Sequence, residues 1–97
     1  VYFQGELMQI RQTNQFEKAY RKLHKNQLKD ANKAISEIID NPLIGIQKKG
    51  DLSDVRVHKF KMVNQLTLIA YIYEDAEIIL TFLAIGSHEN FDRDIKL

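Results

Sequence analysis

The stretch Ile38-Ile39-Asp40-Asn41-Pro42-Leu43-Ile44-Gly45 separates two periodicities, and the fold follows from that separation. On its N-terminal side Leu28, Ala31, Ala34, Ile35, Ile38 and Ile39 recur at the spacing of an amphipathic helix. Pro42 cannot extend that helix, because it has no N–H to donate and its ring drives the preceding residue out of helical backbone. The segment from Asn41 to Gly45, together with Gly50-Asp51, is turn chemistry, and the residues between carry no period, which predicts a connecting loop. Beyond it Val55-Arg56-Val57-His58 alternates strictly. A strand there puts Val55 and Val57 on one face and Arg56 and His58 on the other, the face away from the core.

Working back toward the N-terminus, Phe16, Ala19, Tyr20 and Leu23 fall at i, i+3, i+4 and i+7, which predicts a first helix. Thr13 or Asn14 serves as its N-cap, with Glu17 three residues after Asn14 to complete a capping box. His24-Lys25-Asn26 interrupts the stripe, so the two helices form a short-turned antiparallel hairpin. Met8-Gln9-Ile10-Arg11-Gln12 alternates and reads as a strand before them. Val1-Tyr2-Phe3-Gln4-Gly5 resembles the recognition sequence of a TEV-type tag-removal protease. Residues 1–7 therefore read as a tag remnant, and 8–97 as a single domain starting at Met8.

Working forward, Val63-Asn64-Gln65 offers a reversal, Leu66 to Tyr73 is β-branched and aromatic, and Glu74-Asp75-Ala76 offers a second turn before Glu77 to Ile85. Gly86-Ser87 ends that strand, and Ser87 can cap a short helix from His88 to Lys96. The expected fold is α+β: β-α-α-β-β-β with a short C-terminal helix, an antiparallel sheet packed against a helical hairpin. Segregated helices and strands disfavour a doubly wound nucleotide-binding sheet.

Composition narrows the function classes. The chain has 97 residues, four Gly, one Pro and no Cys, so a disulfide framework and a thiolate site are excluded and the cytoplasm is the expected compartment. The longest apolar run, Ile78 to Ile85, is broken by Thr81 and is far shorter than the ~20 residues of a membrane span. No glycine opens a phosphate-cradling series, and His24, His58 and His88 never fall at a metal-binding spacing, so no cofactor and no metal are expected. Charge is nearly balanced at +1 but unevenly placed. From Arg11 to Lys33 seven basic residues face Glu17 and Asp30, a helix face whose ordinary explanation is solvation. A second group holds Lys48, Lys49, Arg56, Lys59 and Lys61 with His58 among them.

That second group has a chemical use. If Arg56, His58, Lys59 and Lys61 converge with His88 at the exit of the last strand, two imidazoles stand among cations on an open sheet face. Metal-free RNA cleavage needs a base for the 2′-OH, cations for the phosphate and an acid for the leaving 5′-oxygen, and imidazole serves either proton-transfer role near neutral pH. The alternative from spacing alone is that both histidines are ordinary surface residues.

The helical hairpin ending in Asn41-Pro42 with Gly45, then Lys49-Gly50-Asp51-Leu52, Val55 to Phe60, Leu68-Ile69-Ala70-Tyr71 and Gly86-Ser87-His88-Glu89-Asn90-Phe91, together resemble the RelE/ParE superfamily of toxins from bacterial type II toxin-antitoxin pairs. The resemblance covers nearly all of Met8 to Leu97. It implies a cytoplasmic toxin neutralised by a cognate antitoxin. RelE-like members cut mRNA in the ribosomal A site without a metal, whereas ParE-like members poison DNA gyrase. YafQ-like members carry Gly-Thr-His where this chain has Gly86-Ser87-His88. The resemblance thus implies His88 and His58 as catalytic groups, Arg56, Lys59 and Lys61 as phosphate-binding cations, and Phe91 as a base-stacking aromatic. A third possibility is an attenuated toxin that serves as an antitoxin-binding subunit, since the third strand has no Arg at its middle and the C-terminal segment has no Tyr.

Overall fold

Thr13 ends one element and begins the next. In the computed structural model, which describes residues 2–3 and 6–89, its hydroxyl accepts the Phe16 N–H at 3.1 Å and donates to the Leu83 carbonyl at 2.6 Å. One side chain thereby caps helix α1 (Asn14–Arg21) and ties it to the sheet. Helix α2 (Lys25–Asp40) follows after a short turn, entered through the His24 N–H bonding the Gln27 side chain at 2.7 Å. It stops at Asn41, as Pro42 demands.

The main sheet has five strands: β1 (Gln9–Gln12), β2 (Ile46–Gln47), β3 (Val55–Met62), β4 (Gln65–Glu74) and β5 (Ile79–Ser87), in spatial order β1-β5-β4-β3-β2. Two-residue strands Tyr2–Phe3 and Glu6–Leu7 form a separate antiparallel ribbon. The α+β architecture matches the expected one, with two refinements. The segment expected to be wholly loop contributes β2, which pairs Ile46 with Val57 and Gln47 with Arg56. The β3-β4-β5 meander is antiparallel, but β1 runs parallel to β5, Gln9 opposite Ile79 through Gln12 opposite Phe82. Parallel pairing needs a long crossover, and the helical hairpin and meander between β1 and β5 supply it.

The β3-β4 reversal is tighter than expected. Val63 and Asn64 form the two-residue turn at φ 50° and 66°, with the Asp30 carboxylate accepting the Val63 N–H at 2.9 Å. Positive φ at both positions suits the twist of a tight hairpin, but it is a strained conformation for β-branched Val63.

Both faces of the sheet are apolar. Phe16, Ala31, Ala34, Ile38, Met62, Ile69, Tyr71, Leu80, Phe82 and Ile85 form the core under the helices, where the Phe16 and Phe82 rings stack 5.2 Å apart. A second cluster of Val55, Leu68, Ala70 and Ala84, with Val57, Ile72 and Leu83 around it, lies on the opposite face. Fully burying a side chain such as Ile38 or Leu80 contributes roughly 1.5–3 kcal/mol, so the helix-covered core carries most of the stability. The expected C-terminal helix, with Phe91, falls mostly outside the described residues. No helix among the described residues is long and apolar enough to cross a membrane.

Candidate functional site

Strand β3 distributes the expected site residues between the two faces. Val55 and Val57 join the cluster on the helix-free face, so Arg56, His58, Phe60 and Met62 turn toward the helices. The expectation that Arg56 and His58 look away from the core is therefore corrected. They share a face, but it is the covered one. Strict alternation defines two faces without saying which meets the helices, and here both are apolar.

His58 packs between helix and strand. Its ring stacks on Phe60 with centroids 6.3 Å apart, its Nε2 lies 3.3 Å from a Glu37 carboxylate oxygen on α2, and its side chain is only 13% exposed. Arg56 is likewise engaged: its guanidinium donates to the carbonyls of Gly45 at 2.9 Å and Leu43 at 3.3 Å. Lys61 lines a shallow hollow with Asp30, Lys33, Glu37 and Phe60.

Arg56 works with Tyr71 to fix the loop after α2. The buried phenol accepts the Gly45 N–H at 2.8 Å and donates to the Pro42 carbonyl at 2.8 Å. Burial pushes the phenol above its ordinary value near 10, while the Gly45 bond and the Arg56 charge pull the other way. Gly45 is required by contact: a Cβ there would stand 2.7 Å from the Tyr71 oxygen. The clamp delivers the next residues, Ile46 to Lys49, to the sheet edge, where the Lys48 N–H bonds the Val55 carbonyl at 2.8 Å.

At that edge, on the helix-free side, a cleft of about 380 Å³ opens between β2 and the end of β5. Ile46, Val57 and Leu68 make its apolar floor, and Gln47, Lys48, Lys49, Lys59 and His88 supply its polar groups. His88 is exposed, and its backbone N–H is anchored to the Leu66 carbonyl at 2.9 Å. Two of the expected residues, Lys59 and His88, thus meet in one cleft, whereas His58, Arg56 and Lys61 do not line it. Lys48 and Lys49 belonged to the basic group read from sequence, but only the pairing of β2 brings them beside His88. Their signal was the Ile46-Gln47 pair ahead of two lysines, too short for a period. Chemically the cleft offers one proton-transfer group among several cations over an apolar base. Among the described residues no group of three or more His, Asp or Glu is placed to hold a metal ion.

Comparison with known proteins agrees with this architecture. The family model for the ParE-like toxin of type II bacterial toxin-antitoxin systems matches residues 10–96. No curated protein matches the chain in sequence. Among solved structures the chain is similar to the intact Escherichia coli RelBE toxin-antitoxin complex, with a TM-score of 0.67 at 18% identity over 84% of this chain and 96% of that one. It is also similar to the RelBE2 toxin-antitoxin complex of Mycobacterium tuberculosis, with 0.69 at 16% over 84% and 98%. The archaeal RelE-RelB complex from Pyrococcus horikoshii gives 0.58 at 13% over 82% and 93%. At these identities the likeness is one of fold.

Proposed function

Since this chain belongs to the family of ParE-like toxins of type II bacterial toxin-antitoxin systems, we propose that it is a ribosome-dependent, metal-independent mRNA endoribonuclease held in check by a cognate antitoxin. The observation that carries this reading is the cleft, where an exposed imidazole stands among lysines on the sheet face that the helices leave open. In it His88 transfers the proton, as base toward the 2′-OH or as acid toward the leaving 5′-oxygen. Lys59 and Lys49 balance the charge that builds on the phosphate. Phe91, two residues beyond the described chain end, is assigned the stacking role. His58 and Arg56, in contrast, hold Glu37 and the Gly45 loop, so their part is support of the scaffold. Antitoxin partners are present in the solved complexes of similar fold, which supports the same kind of partner here.

The alternative reading is inhibition of DNA gyrase, kept because the cleft holds a single histidine where the nuclease reading had expected two. The experiment that separates the two is pulse labelling after induction of the chain, with primer extension on a translated message. Early loss of methionine incorporation with discrete cuts in the message supports the nuclease. Early loss of thymidine incorporation with an intact message replaces it with the gyrase reading, and unimpaired growth replaces both with the attenuated toxin.

A further inference from the structure

Ile46 is 70% exposed, more than any other large apolar side chain among the described residues. Its backbone is nevertheless fixed on both sides. Before it, the Tyr71 phenol accepts the Gly45 N–H and Arg56 donates to the Gly45 carbonyl; after it, the Lys48 N–H bonds the Val55 carbonyl. Pairing of Ile46 with Val57 sets the two side chains on one face of the sheet, the face without helices. A strand as short as β2, followed at once by two lysines, is guarded against pairing with another sheet edge. Ile46 is thus held rigidly in water, outside both apolar clusters.

Its surroundings say what it faces. Ile46, Val57 and Leu68 floor the cleft of about 380 Å³, Lys49, Lys59 and His88 stand around them, and no carboxylate is among the lining residues. Among the described residues neither Lys49 nor Lys59 forms an ion pair. The volume is at the small end of ligand pockets, on the scale of one nucleotide. Cations alone would suit any polyanion, but a polyanion without apolar faces would leave the floor wet. A protein segment would have to seat its apolar anchor among lysines, which the centres of protein interfaces lack. A nucleotide of a single strand satisfies both halves at once, with its base on the floor and its phosphate at the lysines. A base in a duplex is stacked and paired, and cannot lie on the floor. RNA is the strand in question, because the imidazole of this cleft is the group assigned to the 2′-OH chemistry.

We infer that Ile46 is the platform on which one unstacked base of the RNA strand packs, with the adjoining phosphate held by Lys49 and Lys59. The inference rests on the reading of the cleft as the RNA-cleaving site and adds to it a base subsite, separate from the stacking assigned to Phe91. Packing against the flat face of a base does not read its hydrogen-bonding edge, so every base is accepted. A purine covers more of the floor than a pyrimidine and removes more apolar surface from water, so purines are preferred.

The test is fluorescence anisotropy of the purified chain with labelled tetraadenylate, tetrauridylate and a ribose-phosphate tetramer lacking its bases, across a series of KCl concentrations. Tetraadenylate is expected to bind more tightly than tetrauridylate, and the baseless chain most weakly. Ile46→Ala is expected to weaken tetraadenylate binding about tenfold, the worth of roughly two buried methylenes, with the salt slope and the affinity for the baseless chain unchanged. Ile46→Phe, which offers a ring for stacking, is expected to tighten it. Lys59→Gln is expected to do the opposite of Ile46→Ala, lowering the slope of log affinity against log salt by about 0.7 on tetraadenylate and on the baseless chain alike. No binding of tetraadenylate at low salt, equal loss on the two chains from Ile46→Ala, or tighter binding of the deoxy tetramer would overturn the inference. Equal wild-type affinity for tetraadenylate and the baseless chain would also overturn it and leave Ile46 to a protein partner. The cleavage reading fails separately: an uncut message with base-dependent binding intact removes the reaction and keeps the subsite, whereas a cut message with binding indifferent to Ile46 does the reverse.

Discussion

His58 lies on β3 and His88 just past the end of β5, with β4 between those strands, and their surroundings are opposite. His58 is packed against Phe60 with Glu37 at 3.3 Å, under the helices and largely closed to solvent. His88 is open to solvent beside Lys59 and the edge lysines, with its backbone held by Leu66. His88 is open to solvent without any described element moving, whereas the His58 side chain is 13% exposed and engaged with Glu37. Two histidines, one among cations in sequence and the other followed by Glu89, thus acquire different environments from the side of the sheet on which they fall.

The strongest way to break this contrast is to remove each ring in turn. His88→Ala is expected to lower the rate of message cleavage by about 10²–10⁴-fold with little change in melting temperature. His58→Ala is expected to do the reverse, lowering the melting temperature and leaving cleavage within a few-fold. Equal losses of cleavage, by primer extension on a translated message, would end the assignment of one face to chemistry and the other to support.

The same contrast is sharpened at the clamp that joins the faces. Gly45→Ala forces a methyl against the Tyr71 ring and hydroxyl and is expected to cost about 1–3 kcal/mol in urea unfolding. Tyr71→Phe leaves the buried Gly45 N–H without its acceptor and is expected to cost a comparable amount, about 1–3 kcal/mol. It should also change the response to alkali. Burial raises the folded pKa of Tyr71 above its unfolded value near 10, so below pH 10 the stabilisation is fully present. As pH climbs from 10 toward the folded value, the unfolded chain releases the proton first and stability falls. The wild type is expected to show that alkaline loss and Tyr71→Phe to lack its share of it, measured by unfolding at a series of pH values. A smaller effect lies at the hairpin tip. Val63→Asn relieves a β-branched residue at φ 50° and is expected to stabilise by about 1 kcal/mol, read as a higher urea midpoint.

Much of the fold was legible in the residues. The helical stripes of Phe16 to Leu23 and Leu28 to Ile39, the stop at Pro42 and the three strands after Gly50 all occupy the places their periodicity predicts. The site was legible only in part. His88 was marked by its position after Gly86, and Lys59 by the density of cations around it. What misled was Val55-Arg56-Val57-His58: valines on a two-sided apolar sheet look the same whichever side the helices cover. Lys48 and Lys49 carried no periodic signal, because a strand of two residues exists only through its pairing with β3.

Local chemistry in the sequence by itself determined the helices, their caps and breaks, the strand periods and the placement of charge, since each depends on residues within a turn or two of one another. Only the tertiary structure decided that β1 runs parallel to β5, that α2 covers His58, and that Tyr71 and Arg56 draw the Gly45 loop to the edge where Lys48 and Lys49 meet His88. The reason is physical: these contacts join residues far apart in the chain, and burial of the whole apolar surface selects them.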